Sequence, residues 1–434
     1  MTSTNGSNVD AASLEVAVVG GGIIGVMTAL GLHRRGIKAV IYERAPTWHE
    51  VSAGFAFTGA GREWMQQLDP QIFEVLSQIS LKTDTSTSNS YWNGYHPRTT
   101  QDAEDESKSL LFRTPNNKLL FWGCVRSQFL LGMAALLPEN SVQFGKELQD
   151  YVEDEDTGKV TLRFKDGSTA TVDALLGCDG IHSTTRKVLL GADHPASKPA
   201  YSQISAYRTM MPLEIGVAAL GDKVAKGGCM HCGPNACLMT YPVMGGKLLN
   251  MSVFAYDQGE FPFPEKMTAP AQRSEIEQVF KGWSPQIAQI AKVYPEEGLL
   301  KWGIYDMEKN PPPTYARASV CIVGDAAHAS TPFLGVGACT GVEDALVLCT
   351  VLESAREKIS GGEAKVGAIQ DALQKYSRAR LDRGRWVHKN SREVGMSYQW
   401  RFGPTGRDTD RIKSKLERAS LTIVNHDVMA PLIA

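Results

Sequence analysis

The chain has 434 residues, of which 43% are hydrophobic and 21% charged, and a formal net charge of −2 at pH 7. This length and composition predict a globular α/β protein of two or three domains. The near-zero net charge does not indicate a nucleic-acid-binding protein. The eight cysteines are scattered through apolar or glycine-rich segments. Such cysteines are typical of reduced thiols, so we expect a cytoplasmic protein.

The first segment of the chain is polar, and we expect residues 1–13 to form a disordered tail. Residues 16–32 then carry no charge. Their glycine cluster, and the lack of a basic segment before them, argue against a signal sequence and against a membrane span.

A glycine motif follows the first predicted strand. Val16–Val19 is a short, mostly β-branched apolar run, which predicts a buried parallel strand. Gly20, Gly22 and Gly25 follow with the G-x-G-x-x-G spacing. In this spacing the first glycine makes a tight turn, the second lets the backbone approach a pyrophosphate and the third allows close helix packing. The motif therefore predicts a dinucleotide-binding turn.

The next helix and strand support this interpretation. A helix predicted to begin at Ile23 would direct its positive N-terminal end at the phosphates. A second apolar run, 39–42, ends at Glu43, which has the spacing of about 20 residues expected for an acid that binds an adenosine ribose. The alternative is a chance glycine-rich turn, and this motif alone does not distinguish FAD from NAD.

The rest of the chain alternates in character. Residues 82–109 are polar, which predicts a loop or an excursion into another domain, and Arg126 begins an apolar helical pattern. Residues 202–256 predict mostly strands, 267–293 predict helix, and the chain is largely helical from 341, with a charged helix at about 369–392. Further strands are predicted at 142–144, 160–164 and 174–176.

A second acid follows a buried strand near the end of the predicted cofactor-binding region. Val320–Val323 leads to Gly324 and Asp325, and an acid at the carboxyl end of a strand suits binding of a polyol hydroxyl such as the ribitol of a flavin. The alternative role for Asp325 is that of a helix N-cap. His328 is interpreted as a packing residue that orients the loop.

Small residues continue this third motif. Pro332, Gly335 and Gly337 predict a loop with few bulky side chains, against which a flat ring can lie. A helix predicted to begin near Gly337 would aim its N-terminal dipole at the flavin pyrimidine, and this dipole would stabilise the anionic reduced ring.

Four residues suggest a metal site at first sight. Cys229, His231, Cys232 and Cys237 are close in sequence. There is no second C-x-x-C pair at zinc-site spacing, and the segment predicts strand and turn, so we expect no metal.

Three motifs occur in a fixed order, at 14–25, 177–186 and 321–345. Together they resemble those of the single-component (group A) flavoprotein aromatic hydroxylases, the para-hydroxybenzoate and salicylate hydroxylase family, over nearly the whole chain. The resemblance implies an α/β fold of the para-hydroxybenzoate hydroxylase type, with a Rossmann-like FAD domain, a β-sheet substrate domain and a helical C-terminal segment. It also implies tightly bound FAD, transient NADPH or NADH, and O2 as co-substrate.

The resemblance assigns the flavin contacts to individual residues. By this resemblance Glu43 binds the adenosine ribose, Ala56 lies beside the flavin and Arg126 contacts the FAD. Asp179 and Gly180 match the family motif that serves both the FAD pyrophosphate and NAD(P)H, and Asp325 and Ala338 complete the flavin contacts.

The amino-acid sequence of the third motif is similar to that of a narrower group, the fungal polyketide-pathway monooxygenases that dearomatise phenols. Many family members have glutamine and asparagine where this chain has Val336 and Cys339. In the narrower group an arginine and a tyrosine hold the substrate phenolate, and these correspond to Arg208 and Tyr241. Their alternative roles are a structural ion pair and a core tyrosine. Tyr207 is predicted to lie on the opposite strand face.

The chemistry of this group is consistent with such a pair. An electron-rich phenolate attacks a flavin C4a-hydroperoxide more readily than a phenol does, and an arginine lowers the pKa of the phenol. Hydroxylation at a ring carbon that bears a methyl group gives a dienone. Hydroxylation at a carbon that bears hydrogen gives a catechol or hydroquinone. Hydroxylation at a carbon that bears a carboxylate releases CO2.

The predicted organisation is discontinuous. We expect an FAD domain, a substrate domain and a C-terminal segment, with a small phenolic substrate, no nucleic-acid or membrane partner, and an undetermined oligomeric state. The competing classes are a flavin-dependent halogenase, an FAD oxidoreductase that inserts no oxygen, and a non-catalytic flavin-binding protein. The predicted boundaries are 14–81, 110–190 and 301–360 for the FAD domain, 82–109 and 191–300 for the substrate domain, and 361–434 for the C-terminal segment.

Overall fold

The computed structural model describes residues 13–48, 54–80, 88–95, 106–115 and 119–433. Most of the predicted tail, and most of the polar stretch 82–109, therefore lie outside the described residues. The strands are, in chain order, β1 Glu15–Val19, β2 Lys38–Glu43, β3 Gly54–Phe57, β4 Ser88–Asn93, β5 Leu110–Pro115, β6 Trp122–Val125, β7 Val142–Phe144, β8 Leu148–Glu153, β9 Val160–Phe164, β10 Thr169–Val172, β11 Ala174–Gly177, β12 Ala200–Pro212, β13 Cys229–Gly233, β14 Ala236–Val243, β15 Leu248–Tyr256, β16 Thr268–Pro270, β17 Leu300–Asp306, β18 Ala316–Arg317 and β19 Val320–Ile322.

The helices of these residues range from single turns to a helix of 34 residues. They are α1 Ile23–Arg34, α2 Gly59–Leu68, α3 Pro70–Ile79, α4 Glu106–Ser109, α5 Arg126–Ala134, α6 Thr184–Leu190, α7 Leu213–Leu220, α8 Asp222–Lys226, α9 Arg273–Val279, α10 Pro285–Ile290, α11 Asp325–His328, α12 Gly337–Ser360, α13 Lys365–Tyr398, α14 Thr409–Val424 and α15 Ala430–Ile433, with short 3-10 turns at Pro195–Ser197, Ala291–Val293 and Pro332–Leu334.

A largely parallel sheet forms the first layer. In the described residues its order is β18-β19-β11-β1-β2-β7, and only the β18–β19 pair is antiparallel. Its central strands are covered on both faces, which explains why their sequences are continuous apolar runs. The strands that precede the three motifs, β1, β11 and β19, are neighbours. The motifs therefore leave the sheet side by side at its carboxyl edge.

An eight-stranded, mostly antiparallel sheet forms the second layer, in the order β16-β17-β12-β15-β14-β13-β4-β5. One face packs on α7 to α10 through residues such as Leu220, Ile276 and Ile287. The other face packs on α13, α14 and the loop of the third motif through Val394, Leu416 and Phe333. We call these the helical face and the flavin-side face.

Two strands near the predicted domain boundaries pair within the eight-stranded sheet. β5 pairs with β4, and β17 pairs with β12, although the predicted boundaries place residues 110–115 and 301–306 in the FAD domain. Short strands carry little information about their partners, since pairing depends on residues far away in the chain. The division into domains itself remains a prediction.

The predicted helix over 267–293 is broken into shorter elements. β16 occupies its beginning, and Gly282 has φ +82°, so α9 and α10 are separate helices. Ser284 caps α10, accepting a hydrogen bond from the backbone N–H of Ile287. The region 202–256 is mostly strand, as expected, with α7 and α8 inserted after β12.

A buried ion-pair network joins the two long helices α12 and α13. The Arg380 guanidinium contacts Glu343 at 2.6 Å and Asp344 at 2.7 Å, and Arg383 contacts Glu343 at 2.8 Å. All four side chains are buried. Removing one partner would leave a buried charge uncompensated. The network therefore holds α12, which follows the loop of the third motif, in one position.

No helix in the described part of the chain combines the length and apolar character needed to cross a membrane.

Candidate flavin and substrate site

The glycine turn after β1 has a shape that only glycine permits. Gly20 has φ +104°, and a Cβ there would lie 2.4 Å from the carbonyl oxygen of Cys178. A Cβ on Gly25 would lie 2.0 Å from the carbonyl oxygen of Gly20. These close approaches bring α1 tightly against the sheet.

Gly22 differs from its two partners in the motif. Among the described residues no atom lies within 4 Å of the position of its Cβ, and α1 has no side-chain cap and no acid in its first turn. The first N–H groups of the helix therefore face an open cradle that a side chain would fill. Such a terminus fits a pyrophosphate.

Glu43 lies over this turn. Its Oε2 atom accepts a hydrogen bond from Gly21 N at 2.6 Å, and Oε1 accepts one from Ala45 N at 2.8 Å. The backbone thus fixes the carboxylate at the carboxyl end of β2, beside the turn, which is the position expected for a ribose ligand.

In the second motif the Asp179 carboxylate organises the turn into α6. It accepts hydrogen bonds from Ser183 Oγ at 2.5 Å, Thr185 N at 2.9 Å and Thr185 Oγ1 at 3.0 Å. Gly180 follows with φ +73° and an open Cβ position. Asp179 therefore shapes the backbone here, and its direct contact with FAD or NAD(P)H remains a prediction.

Arg186, which the sequence analysis did not single out, joins the second motif to the third. Its buried guanidinium donates to Ile181 O at 2.6 Å and to Ala326 O at 2.8 Å. Burial lowers the pKa of Arg186 to about 10, against the opposing effect of the nearby carboxylates of Asp179 and Asp325. Its position at the end of the GCDGIHSTTR motif was the available signal.

The third motif presents Asp325 at the start of α11, directly after β19. Asp325 is exposed, whereas His328 is buried and hydrogen-bonded to Asp344. The same carboxylate accepts from Gly324 N at 2.9 Å and is paired with Arg380. His328 is therefore part of the network that orients the loop, which is the role expected from sequence.

The loop from Pro332 to Gly337 turns at a glycine. Gly335 has φ +67°, and a Cβ on it would lie 3.3 Å from the Phe121 ring. α12 then begins at Gly337 with no side-chain cap and no acid in its first turn, and the Cβ position of Gly337 is open. This second uncapped helix terminus fits the electron-rich edge of a flavin.

Neighbours of this helix terminus are also part of the site. Ala338 is half-buried, and the Cys339 thiol accepts a hydrogen bond from the Thr58 backbone at 3.4 Å. Cys339, where many family members have asparagine, thus ties the first turn of α12 to the start of α2.

Ala56 and Arg126 lie on one small unit. Ala56 of β3 pairs with Gly123 of β6, and Arg126 begins α5 directly after β6. The buried Arg62, which sequence reasoning missed, donates to Phe57 O at 3.1 Å, and its guanidinium lies 4.1 Å from the centre of the Trp122 ring. Arg62 therefore braces this two-stranded unit.

The two predicted substrate residues share the flavin-side face of the large sheet. Arg208 on β12 and Met239 on β14 both pair with Ser252 of β15, and Tyr241 lies two residues beyond Met239. Residues at such positions point to the same side of a sheet. Tyr207 points to the helical face, where its hydroxyl donates to Glu275 Oε2 at 3.1 Å.

Arg208 and Tyr241 are also electrostatically coupled. Burial lowers the pKa of Arg208, and ionisation of Tyr241 would oppose this effect; burial raises the pKa of Tyr241, and the Arg208 charge opposes that change. Arg208 nevertheless keeps exposed surface, and Tyr241 is half-buried. Both side chains are therefore surrounded by protein and still reach solvent. The guanidinium lies 5.9 Å from the Trp302 ring centre.

The loop of the third motif packs onto this same face. The Phe333 ring lies 5.0 Å from the Phe254 ring and 6.2 Å from the Tyr398 ring, measured between centres. Phe254 pairs with Ala206, two residues from Arg208 along β12. The tertiary structure therefore brings the third motif and the Arg208–Tyr241 pair to one side of one sheet.

The four residues of the zinc alternative do not converge. β13 and β14 form a hairpin in which Cys232 pairs with Cys237, facing the flavin-side core. Cys229 and His231 lie three residues and one residue before Cys232, both odd offsets, so they point to the other face. In the described residues no group of three or more potential metal ligands comes together.

Comparison with known proteins assigns the family. A family model for an FAD-binding domain matches residues 13–391. An FAD-dependent monooxygenase of Aspergillus terreus is 46% identical over 96% of this chain and 95% of its own length. A salicylate hydroxylase of Sarocladium schorii is 36% identical over 88% of this chain and 81% of its own length.

A solved structure gives the same result. The substrate complex of a salicylate hydroxylase superposes with a TM-score of 0.82 at 27% identity, covering 97% of both chains. This confirms the predicted fold of the para-hydroxybenzoate hydroxylase type, and the cofactor is FAD, with NAD(P)H and O2 as the usual co-substrates of the class. The chain belongs to the FAD-binding-domain family and is an FAD-dependent aromatic monooxygenase of the salicylate hydroxylase type.

Proposed function

We propose that the enzyme hydroxylates a small phenolic substrate, of the resorcinol-aldehyde kind, which Arg208 and Tyr241 hold as its phenolate. The observation that carries this proposal is the placement of the coupled Arg208–Tyr241 pair on the sheet face that receives the flavin loop. Reductant and oxidant are NADPH or NADH and O2.

In this proposal Arg208 and Tyr241 have different roles. FAD, when reduced by NAD(P)H, supplies an electrophilic oxygen from O2. Arg208 stabilises the phenolate and lowers the pKa of the phenol, which makes the ring electron-rich. Because burial raises the pKa of Tyr241, its hydroxyl stays protonated and donates to the same oxygen, which fixes the ring carbon that faces the flavin.

The flavin contacts are proposed on the same basis. Gly20, Gly22 and Gly25 bind the pyrophosphate with α1, and Glu43 binds the adenosine ribose. Asp179 and Gly180 are proposed to serve both the FAD pyrophosphate and NAD(P)H, and Arg126 to contact the FAD. The contacts with the isoalloxazine and ribitol are proposed to come from Ala56, Asp325, Pro332, Gly335, Gly337 and Ala338.

We further propose that the product is dearomatised, which requires attack at a ring carbon that bears a methyl group. The likeness to salicylate hydroxylases favours a second candidate, hydroxylation that keeps the ring aromatic. An FAD oxidoreductase that inserts no oxygen is the alternative of another class. The eight cysteines are buried free thiols, which supports a reducing compartment such as the cytoplasm.

The first experiment incubates the FAD-loaded enzyme with an alkylated resorcinol aldehyde, O2 and either NADPH or NADH. The product's mass and ultraviolet spectrum are measured. A gain of one oxygen with loss of the aromatic spectrum supports dearomatising hydroxylation, and a gain with aromaticity kept supports the second candidate. Peroxide formation without an oxygenated product would support the oxidoreductase.

A further inference from the structure

Asn250 lies beside the proposed substrate pair and has a polar atom without a partner. It is on β15, where it pairs with Tyr241 on one side and with Met210 on the other, so it shares the flavin-side face with Arg208. Its Nδ2 atom is buried and makes no hydrogen bond to any described residue. The residue itself is only half-buried, and Met210 beside it is 49% exposed.

Such an atom is unfavourable in a folded protein. A buried amide group without a hydrogen bond costs about 1–3 kcal/mol, and native structures satisfy most such groups. Turning the amide by 180° would place Oδ1 at the same position, so the unsatisfied group persists in either orientation. A leucine there would avoid this cost at similar volume.

Thr240 provides an internal comparison. Its Oγ1 atom is also buried without a partner, and it is adjacent to Tyr241 in sequence. However, Thr240 pairs with Met251 and Cys229 on the helical face, within a closed core. Asn250 therefore lies on the same sheet face as Arg208 and Tyr241, where a ligand held by that pair would bind, and Thr240 does not.

We infer that Asn250 is a specificity-determining residue that hydrogen-bonds a second hydroxyl on the substrate ring. This inference rests on the proposed function, because it takes the first oxygen to be the phenolate held by Arg208 and Tyr241. A hydroxyl both donates and accepts, so it satisfies the buried amide in either orientation. The site therefore selects dihydroxylated over monohydroxylated rings.

The test measures dissociation constants by the perturbation of flavin absorbance, without turnover. The probes are 2,4-dihydroxybenzaldehyde and its two monohydroxy counterparts, 2-hydroxy- and 4-hydroxybenzaldehyde, each added to FAD-loaded enzyme. The wild type should bind the dihydroxy probe about tenfold more tightly than the weaker monohydroxy probe. Asn250→Leu should reduce this ratio to about one, and Thr240→Val should leave it unchanged.

Further variants separate the possible failures. If the leucine variant does not fold, the same ratio of dissociation constants is measured in Asn250→Ala, provided that this variant retains FAD. Persistence of the ratio in the Asn250 variants overturns the inference. If Arg208→Ala at the same time weakens binding of all three probes, the proposed function stands; if it weakens none, the proposed function fails as well.

Discussion

The carboxyl edge of the parallel sheet and the flavin-side face of the large sheet are built in different ways. At the edge, the geometry comes from the backbone: Gly20 and Gly25 allow contacts that a Cβ would block, and two helices begin without caps. On the face, the proposed chemistry comes from side chains on three neighbouring strands, Arg208, Tyr241 and Asn250.

The difference has a physical consequence. At a backbone site where atoms approach closely, as at Gly20, a substitution disturbs the fold and the cofactor together. A side-chain site on a paired sheet can be altered without moving the strands. The following predictions test this contrast, from the largest expected effect to the smallest.

Gly20→Ala should destabilise the protein by about 2–4 kcal/mol and abolish retention of FAD, because the new Cβ meets the Cys178 carbonyl at a positive φ. Gly22→Ala is the matched control, since its Cβ would meet no atom within 4 Å among the residues that the structure describes. That variant should keep its stability while binding FAD more weakly. Flavin content and denaturant unfolding measure both effects. Equal destabilisation of the two variants would contradict the interpretation of the open position beside Gly22 as the pyrophosphate site.

Arg208→Ala should keep bound FAD and lower kcat/KM for the phenolic substrate about 100-fold or more, because a charged partner of the phenolate is lost. The activity of this variant should recover partly as pH rises, because a larger fraction of the phenolic substrate is then already ionised in solution. Steady-state kinetics between pH 6 and 9 provide the measurement. Wild-type activity in this variant would remove Arg208 from the site and weaken the contrast between the two regions.

Buried histidines should make the stability dependent on pH. Burial lowers the pKa of His231 to about 4, so the unfolded chain binds the proton first as pH falls below 6.5. This group's contribution is present above pH 6.5 and is lost as pH falls toward 4, with about 2 kcal/mol lost by pH 5. The difference in unfolding free energy between pH 7 and 5 should therefore be smaller in His231→Leu than in the wild type. An identical pH dependence would show that His231 is not buried as the neutral form.

Cys339→Ala should cost only about 1 kcal/mol, because the weak hydrogen bond between the thiol and the Thr58 backbone is lost while the backbone stays in place. Thermal unfolding measures this change, and the flavin spectrum serves as the control. Loss of FAD in this variant would mean that a side chain, and not only the backbone, holds the cofactor at the start of α12.

Much of the cofactor region could be predicted because its signals are local. The strand, turn and helix around Gly20 lie within about 20 residues, and their spacing alone predicts the turn. β1, β2, β11 and β19 were found close to their predicted positions for the same reason, since buried parallel strands are continuous apolar runs.

Three buried arginines gave little local signal of their roles, apart from the position of Arg186 at the end of the second motif. Arg62 and Arg186 act on backbone carbonyls from other segments, and Arg380 pairs with acids on a different helix. Charged residues of this kind are usually exposed, so only the packed structure shows that these three are buried. The assignment of β5 and β17 to the large sheet depended equally on distant partners.

The sequence by itself determined the three motif turns, the order of the elements around them and the resemblance that implies FAD, because each depends on residues close together in the chain. Only the tertiary structure decided that Arg208, Tyr241 and Asn250 share one face, and that the loop of the third motif packs onto it. Strand register sets that face, and register arises from pairing between segments that are far apart in sequence.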